Sequence, residues 1–201
     1  MSEAREKVSP EDELRAHAYG LLGSLLARVP DQELLERLMS IEVDEDGFDQ
    51  TMVAAWKTLA MAAGRTTREA VDDEYHALFI GIGRGELVPY GSWYQTGFLM
   101  ERPLAQLRQD LKSLGFERRE GVKEPEDHAG ALMETMCMMI LDTDIGIHEE
   151  KRFFERHLEP WIGRFFEDLQ NARSANFYSA VGVLGKQFVD VEKQYLAMLP
   201  H

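Results

Sequence analysis

An all-α fold, a single globular bundle of about 9–11 helices, is what this sequence predicts, on three observations. Apolar residues recur at helical spacing along most of the chain, and no run alternates as a half-buried strand would. Capping residues, prolines near helix starts and glycines near helix ends punctuate that pattern. The 201 residues are 44% hydrophobic and 29% charged, a soluble balance in a chain able to bury a sizeable core. The expected organisation is one domain, residues 1–201, with a hinge at about 116–127 between an N-terminal and a C-terminal helical block.

The elements follow in order. Residues 1–8 read as a frayed terminus. Ser9 caps and Pro10 takes the first position of a helix that runs to about Val29, with Leu14, Leu21, Leu22, Leu25 and Val29 on one face. Pro30-Asp31 punctuates, and Leu34, Leu35 and Leu38 mark a short second helix. An acidic turn, Ile41 to Gly47, leads to a third stripe of Phe48, Met52, Ala55, Trp56 and Leu59, stopped by Gly64. Thr66-x-x-Glu69 has capping-box spacing and opens a fourth helix to about Ile80. Ser92 stands where it would cap a short helix holding Trp93 and Tyr94.

Pro103 starts the next helix, whose Leu104, Leu107, Leu111 and Leu114 face a core until Gly115 ends it. The polar stretch Phe116 to Lys123 is the linker candidate. Pro125 restarts a helix through Leu132, Met133, Met136 and Ile140 to about Ile145, and Gly146 breaks it. Phe153, Phe154 and Leu158 belong to another, bent at Pro160, and Ile162, Phe165, Phe166 and Leu169 follow. Phe177, Val181, Leu184, Phe188, Val191 and Tyr195 mark a long last helix.

Charge narrows the partners. Thirty-six acidic against 22 basic residues give a net charge of −14, so the basic footprint that nucleic acid requires is missing. An anionic membrane surface would repel this chain, whereas a cationic peptide would be attracted. No apolar run approaches the roughly 20 residues of a membrane helix, so no stable membrane insertion is expected. The first ten residues carry no apolar core of a signal peptide. A single cysteine, Cys137, permits no internal disulfide, which fits a cytoplasmic setting.

The stretch from Tyr75 to His128 concentrates the unusual chemistry. Gly81, Gly83 and Gly85 at alternate positions make a loop, and Pro89-Tyr90-Gly91 makes another turn. Tyr75, Phe79, Tyr90, Trp93 and Tyr94 crowd these turns, either as a loop buried in a core or as the wall of a groove for a ligand or peptide. The glycines are neither a Rossmann turn nor a P-loop, since they follow a helix and Arg84 is no P-loop lysine. Glu124-x-Glu126-Asp127-His128, near a helix start, suits simple capping. On a helix Asp127 and His128 would point about 100° apart, one to a groove and one to the hinge. Glu126, Asp127, His128, Glu134 and Cys137 lack the spacing of a metal centre, and no nucleophile motif accompanies the Asp/His pair. Met133, Met136, Met138 and Met139 read as core, with an adaptable apolar surface as the alternative.

Tyr75-x-x-Leu78-Phe79-x-Gly81, Pro89-Tyr90-x-Ser92-x-Tyr94, Glu124-Pro125-Glu126-Asp127-His128 and Phe154-x-x-His157-Leu158-x-Pro160-Trp161 together resemble the signature blocks of the TorD/DmsD family of redox-enzyme maturation chaperones. The resemblance implies a cytoplasmic, non-enzymatic all-α chaperone. Its partners would be the apo form of a molybdenum-cofactor oxidoreductase and that enzyme's twin-arginine leader peptide, held until cofactor is inserted. It assigns signal-peptide recognition to Asp127 and His128, and the leading reading extends the groove for the leader to Tyr75, Leu78, Phe79, Pro89, Tyr90, Ser92, Tyr94, Glu124 and Glu126, with Asp72-Asp73-Glu74 as a second acidic stretch that flanks the aromatic loop in sequence. Tyr75 stands where some members carry tryptophan. No cofactor is expected, beyond a weakly bound GTP allowed by the resemblance without an identifiable site. A monomer is expected, with a minor domain-swapped dimer as in some relatives. The competing classes are a nucleotide-binding or nucleotide-hydrolysing enzyme and an all-α adaptor without leader specificity.

Overall fold

The first helix starts where its cap dictates: Ser9 Oγ accepts the Asp12 backbone N–H at 3.1 Å, and Pro10 holds the first helical position. The computed structural model describes residues 8–43, 49–81, 84–117, 121 and 124–199. These form α1 (Pro10–Ala27), α2 (Gln32–Met39), α3 (Gln50–Gly64), α4 (Arg68–Tyr75), a π-helical turn (His76–Ile80), α5 (Gly91–Thr96), α6 (Arg102–Ser113), α7 (Ala129–Leu141), α8 (Ile147–His157), α9 (Ile162–Gln170) and α10 (Phe177–Ala197). The all-α class holds, and among the described residues the sole β-type pairing is an isolated antiparallel bridge between Tyr90 and His128.

The chain divides into two units, each discontinuous in sequence. The first combines residues up to Ala27 with Pro89–Ile162, and the second combines Arg28–Val88 with the chain from Gly163 onward. The expected hinge at 116–127 therefore falls inside the first unit, and its residues 118–120 and 122–123 lie outside the described residues, as do 44–48 of the acidic turn and third stripe.

In the first unit α1 lies along α7, at a crossing that only glycine allows. A Cβ on Gly23 would stand 2.8 Å from Glu134 Cγ, and one on Gly130 would stand 3.0 Å from the Ala27 nitrogen. The backbones thus touch, and Leu22, Leu25, Leu26, Leu132, Met133 and Met136 are all buried. Arg15 joins Asp12 at 2.7 Å and Glu150 at 2.9 Å, a buried ion cluster that fixes α1 against α8. Such a cluster specifies one arrangement more than it stabilises it.

In the second unit α10 packs on α3 and α4, and α2 packs on α3. Phe165, Phe166 and Leu169 of α9 are all buried, as their spacing predicts. A Cβ on Gly185 would stand 2.2 Å from the Phe166 ring, so that ring occupies the space a side chain there would need.

Two helix starts and one buried face differ from expectation, each for a local reason. Thr67, not Thr66, caps α4, because its Oγ1 is the one that accepts the Ala70 N–H, at 3.2 Å. α7 begins at Ala129 rather than Pro125, since Pro125 to His128 forms a turn in which His128 N donates to the Pro125 carbonyl. Leu14 is exposed, because the buried face of α1 runs through Ala16, Tyr19 and Leu22 instead.

Candidate functional site

The first unit zips Pro89–Tyr94 to Glu124–His128. Gly91 N donates to the Asp127 carbonyl at 2.9 Å, and Ala129 N donates to the Pro89 carbonyl at 2.8 Å. Asp127 then reaches across 35 residues of sequence, its Oδ2 accepting the Ser92 N–H at 2.8 Å. The cap of α5 is therefore Asp127 and not the Ser92 hydroxyl expected from sequence. Asp127 is only 3% exposed, and neither its Oδ1 nor Ser92 Oγ has a hydrogen-bond partner among the described residues. His128 Nδ1 accepts the Gly130 N–H at 3.1 Å, which puts the ring proton on Nε2. Burial lowers its pKa to about 4, so the ring is neutral at physiological pH. Asp127 and His128 precede the helix, so the expected 100° divergence does not apply. Each is turned to a backbone N–H, an arrangement that suits bracing and not proton transfer.

Trp161 completes this base. A Cβ on Gly91 would meet its Nε1 at 3.0 Å, so the glycine of Pro89-Tyr90-Gly91 is required by the indole beneath it. Tyr94 packs on the same ring with centroids 5.4 Å apart, and the indole N–H donates to the His157 carbonyl at 2.7 Å. Two sequence blocks separated by about sixty residues thus build one support.

The accessible chemistry of this unit lies on the outer side of the Glu124-to-His128 turn. Tyr90 packs edge-on against His128 and its hydroxyl donates to Glu124 Oε1. Desolvation raises the Glu124 pKa. Arg108 Nε donates to Glu126 Oε2 at 2.9 Å, and an NH2 nitrogen of the same guanidinium forms an ion pair with that oxygen at 2.9 Å. A cleft of about 250 Å³ opens here, with Glu117, Glu124 and Glu126 among its walls and Leu111, Phe116 and Met138 supplying apolar surface. α7 presents Ala131, Thr135 and Met138 to it at i, i+4 and i+7. Met138 is half-exposed, while Met133, Met136 and Met139 are core.

Tyr75, Leu78 and Phe79 belong to the second unit. Tyr75 and Leu78 are buried, and Tyr75, Phe79 and Tyr178 form an aromatic cluster with centroid separations of 5.0, 5.9 and 5.5 Å. Burial, with smaller contributions from Tyr75 and Glu74, pushes the Tyr178 hydroxyl pKa well up. Glu74, expected on an acidic recognition flank, is consumed elsewhere. Its carboxylate accepts the backbone N–H groups of Asn176, Phe177 and Tyr178 at 2.8, 3.1 and 2.6 Å. Asp72 pairs with His76 at 3.1 Å. Glu86 accepts the N–H groups of Arg173 and Ser174 at 2.6 and 3.1 Å. Desolvation opposes ionisation of Glu86, but these hydrogen bonds and the Arg173 charge outweigh it and keep its pKa below the usual value. The N-terminus of α10, otherwise a seat for a phosphate, is already filled by Glu74. Among the described residues no group of three His, Cys, Asp or Glu side chains is placed to hold a metal.

The model of the family described as nitrate reductase delta subunit matches residues 45–167, which include most of the first unit and every candidate site residue. The chain belongs to the nitrate reductase delta subunit family. The match is longer than that core: the chaperone protein TorD of Vibrio atlanticus is 28% identical over 92% of this chain and 96% of its own. The TorD chaperones of Vibrio parahaemolyticus and Shewanella pealeana are 23% and 24% identical over 95% and 94% of this chain, and 98% and 93% of theirs. All three are chaperones by name, and this member of the family resembles them along nearly its whole length. Its fold matches the crystal structure of a redox enzyme maturation protein from Archaeoglobus fulgidus, with a TM-score of 0.63 at 18% identity over 92% of this chain and 99% of that one.

Of the residues assigned to recognition in this family member, Tyr75, Leu78, Pro89, Ser92, Asp127 and His128 are buried. Phe79, Tyr90, Tyr94 and Glu126 are half-buried, and Glu124 is exposed. Sequence reasoning missed Arg108, Glu117, Leu111 and Phe116 as cleft residues. Only Arg108 carried a signal, as a cation on the face of α6 that also bears Leu104, Leu107 and Leu111.

Proposed function

We propose that the protein binds the twin-arginine leader peptide and the apo form of a molybdenum-cofactor oxidoreductase in the cytoplasm, assisting cofactor insertion and delaying export. The observation that carries this reading is the cleft beside the Glu124-to-His128 turn. It sets three carboxylates against an apolar floor, the two chemistries that a basic and apolar leader offers. Guanidinium groups engage carboxylates through paired hydrogen bonds, and Met138 can adapt to different apolar side chains. Glu124 and Glu126 take the role of direct partners. Asp127, His128, Ser92 and Pro89 act from below, by holding Tyr90 and the turn in place. The reading assigns no seat to a guanine nucleotide.

Among the described residues no helix is long and apolar enough to cross a membrane, in keeping with the proposed setting. The assembly proposed is a monomer with a minor, slowly exchanging swapped dimer, and light scattering across a dilution series is its test.

Calorimetric titration with a synthetic leader tests the site. The double variant Glu124→Gln/Glu126→Gln is expected to bind at least tenfold more weakly, about 1.4 kcal/mol, with its melting curve retained. Unchanged affinity would remove the cleft from recognition.

A further inference from the structure

Arg108 sits where an incoming arginine would have to go. Its Nε and NH2 groups both address Glu126 Oε2 at 2.9 Å, linking α6 to a turn 18 residues further along the chain. The Arg108 side chain is 50% exposed, whereas that of Glu126 is 18% exposed. The guanidinium thus covers the carboxylate from the solvent side. Both residues line the cleft together with Glu117 and Glu124, so that among its described lining residues three carboxylates face this one cation.

We propose that Arg108 is a resident counter-cation, an internal stand-in for a client guanidinium, which a leader arginine displaces from Glu126. The inference rests on the leader-binding reading above and deepens it. An exposed pair of this kind is weak, so exchange is possible without disturbing the fold. Arg108 reaches Glu126 from a backbone fixed in α6, whereas the guanidinium of an incoming peptide can align two parallel donors with both oxygens of a carboxylate. An arginine therefore has a better geometry available than the residue it replaces. A lysine, a single point charge, has no such advantage. The intramolecular pair would then act as a threshold that discriminates against weakly cationic peptides and favours arginine over lysine.

The consequence is opposite in sign to that of losing an ordinary contact. Removing Arg108 raises the net negative charge of the cleft, so arginine-bearing peptide should bind more tightly.

Three proteins, the wild type, Arg108→Gln and Arg108→Gln/Glu126→Gln, would be titrated by calorimetry. The probes are a synthetic peptide with Arg-Arg ahead of an apolar run and its Lys-Lys counterpart. Thermal unfolding of each protein serves as the folding control. Arg108→Gln is expected to bind the Arg-Arg peptide about three- to tenfold more tightly. The Lys-Lys peptide should gain at least as much, which narrows the preference between the two. In the double variant the gain should vanish. Equal or weaker binding of both peptides by a folded Arg108→Gln, with the wild type still binding, overturns the proposal and leaves the leader-binding reading standing. A wild type that binds neither peptide overturns both.

Discussion

Two buried carboxylates hold helix N-termini in this chain, one in each unit. Glu74 takes three backbone N–H groups at the start of α10, at 2.6 to 3.1 Å, and both of its oxygens are engaged. Asp127 takes one, the Ser92 N–H at 2.8 Å, and its second oxygen is buried without a partner among the described residues. The first is a closed structural joint. The second carries a desolvation cost that the first does not, because a buried acceptor left unmet loses its water without full return. Departures from full satisfaction cluster where a protein has a task besides folding. The difference separates a joint whose carboxylate is wholly engaged from one that keeps an acceptor in reserve.

The largest test of that contrast is the loss of Glu74. Glu74→Ala is expected to cost about 4 kcal/mol, since it strands three donors at once. Urea unfolding would read this as a lower midpoint. If the cost came out near 1 kcal/mol, the joint would be no more closed than its counterpart.

Acid acts on the other side of the comparison. Burial holds His128 at a pKa of about 4 in the folded protein, against 6.5 for an unperturbed imidazole. The unfolded chain takes up the proton first, so stability from the neutral ring is present above pH 6.5 and lost as pH falls towards 4. The loss amounts to about 3 kcal/mol at most. Unfolding free energies at pH 7 and pH 4 should differ more for the wild type than for His128→Asn, whose amide oxygen can still accept the Gly130 N–H. Equal differences would place the acid sensitivity elsewhere.

Asp127 gives the smallest effect. Asp127→Ala removes the cap of α5 and is expected to cost about 2 kcal/mol. Asp127→Asn retains an oxygen for the Ser92 N–H and should stay within about 1 kcal/mol of the wild type. A loss in Asp127→Asn as large as in Glu74→Ala would mean that the charge of Asp127 is fully used and that the contrast is false.

Local signals carried most of the fold. Pro10, Gly64, Gly115 and Gly146 mark real helix ends or starts, and the apolar spacing of α9, and of α10 as far as Phe188, identifies buried faces, whereas Val191 further along α10 is exposed. What sequence could not supply was partnership at a distance. Ser92 looked like a cap because serine usually is one, but the carboxylate that does the work lies 35 positions away. Glu74 looked like part of an acidic surface because Asp72 and Asp73 precede it, and nothing local reports that it meets Asn176 to Tyr178. The same limit explains why Asp127 and His128 were legible as a special pair but not as buried ones. The two-unit division was invisible for a related reason: each unit draws on two separated stretches, and composition along the chain does not change where one gives way to the other.

The glycine crossing of α1 and α7 has a consequence for synthesis. α1 ends at Ala27 and α7 does not begin until Ala129, about a hundred residues later. At roughly 5–20 residues per second the ribosome needs about 5–20 s to cover that gap. During that interval α1, a helix of 18 residues, has no partner for Leu22, Leu25 and Leu26, and a helix in a protein draws most of its stability from such packing. The second unit waits longer, since α3 must stay open until α10 has been made. Native packing in this protein is therefore a late, largely post-translational event, and the nascent chain passes through a stage in which it exposes the kind of apolar surface that chaperones exist to cover.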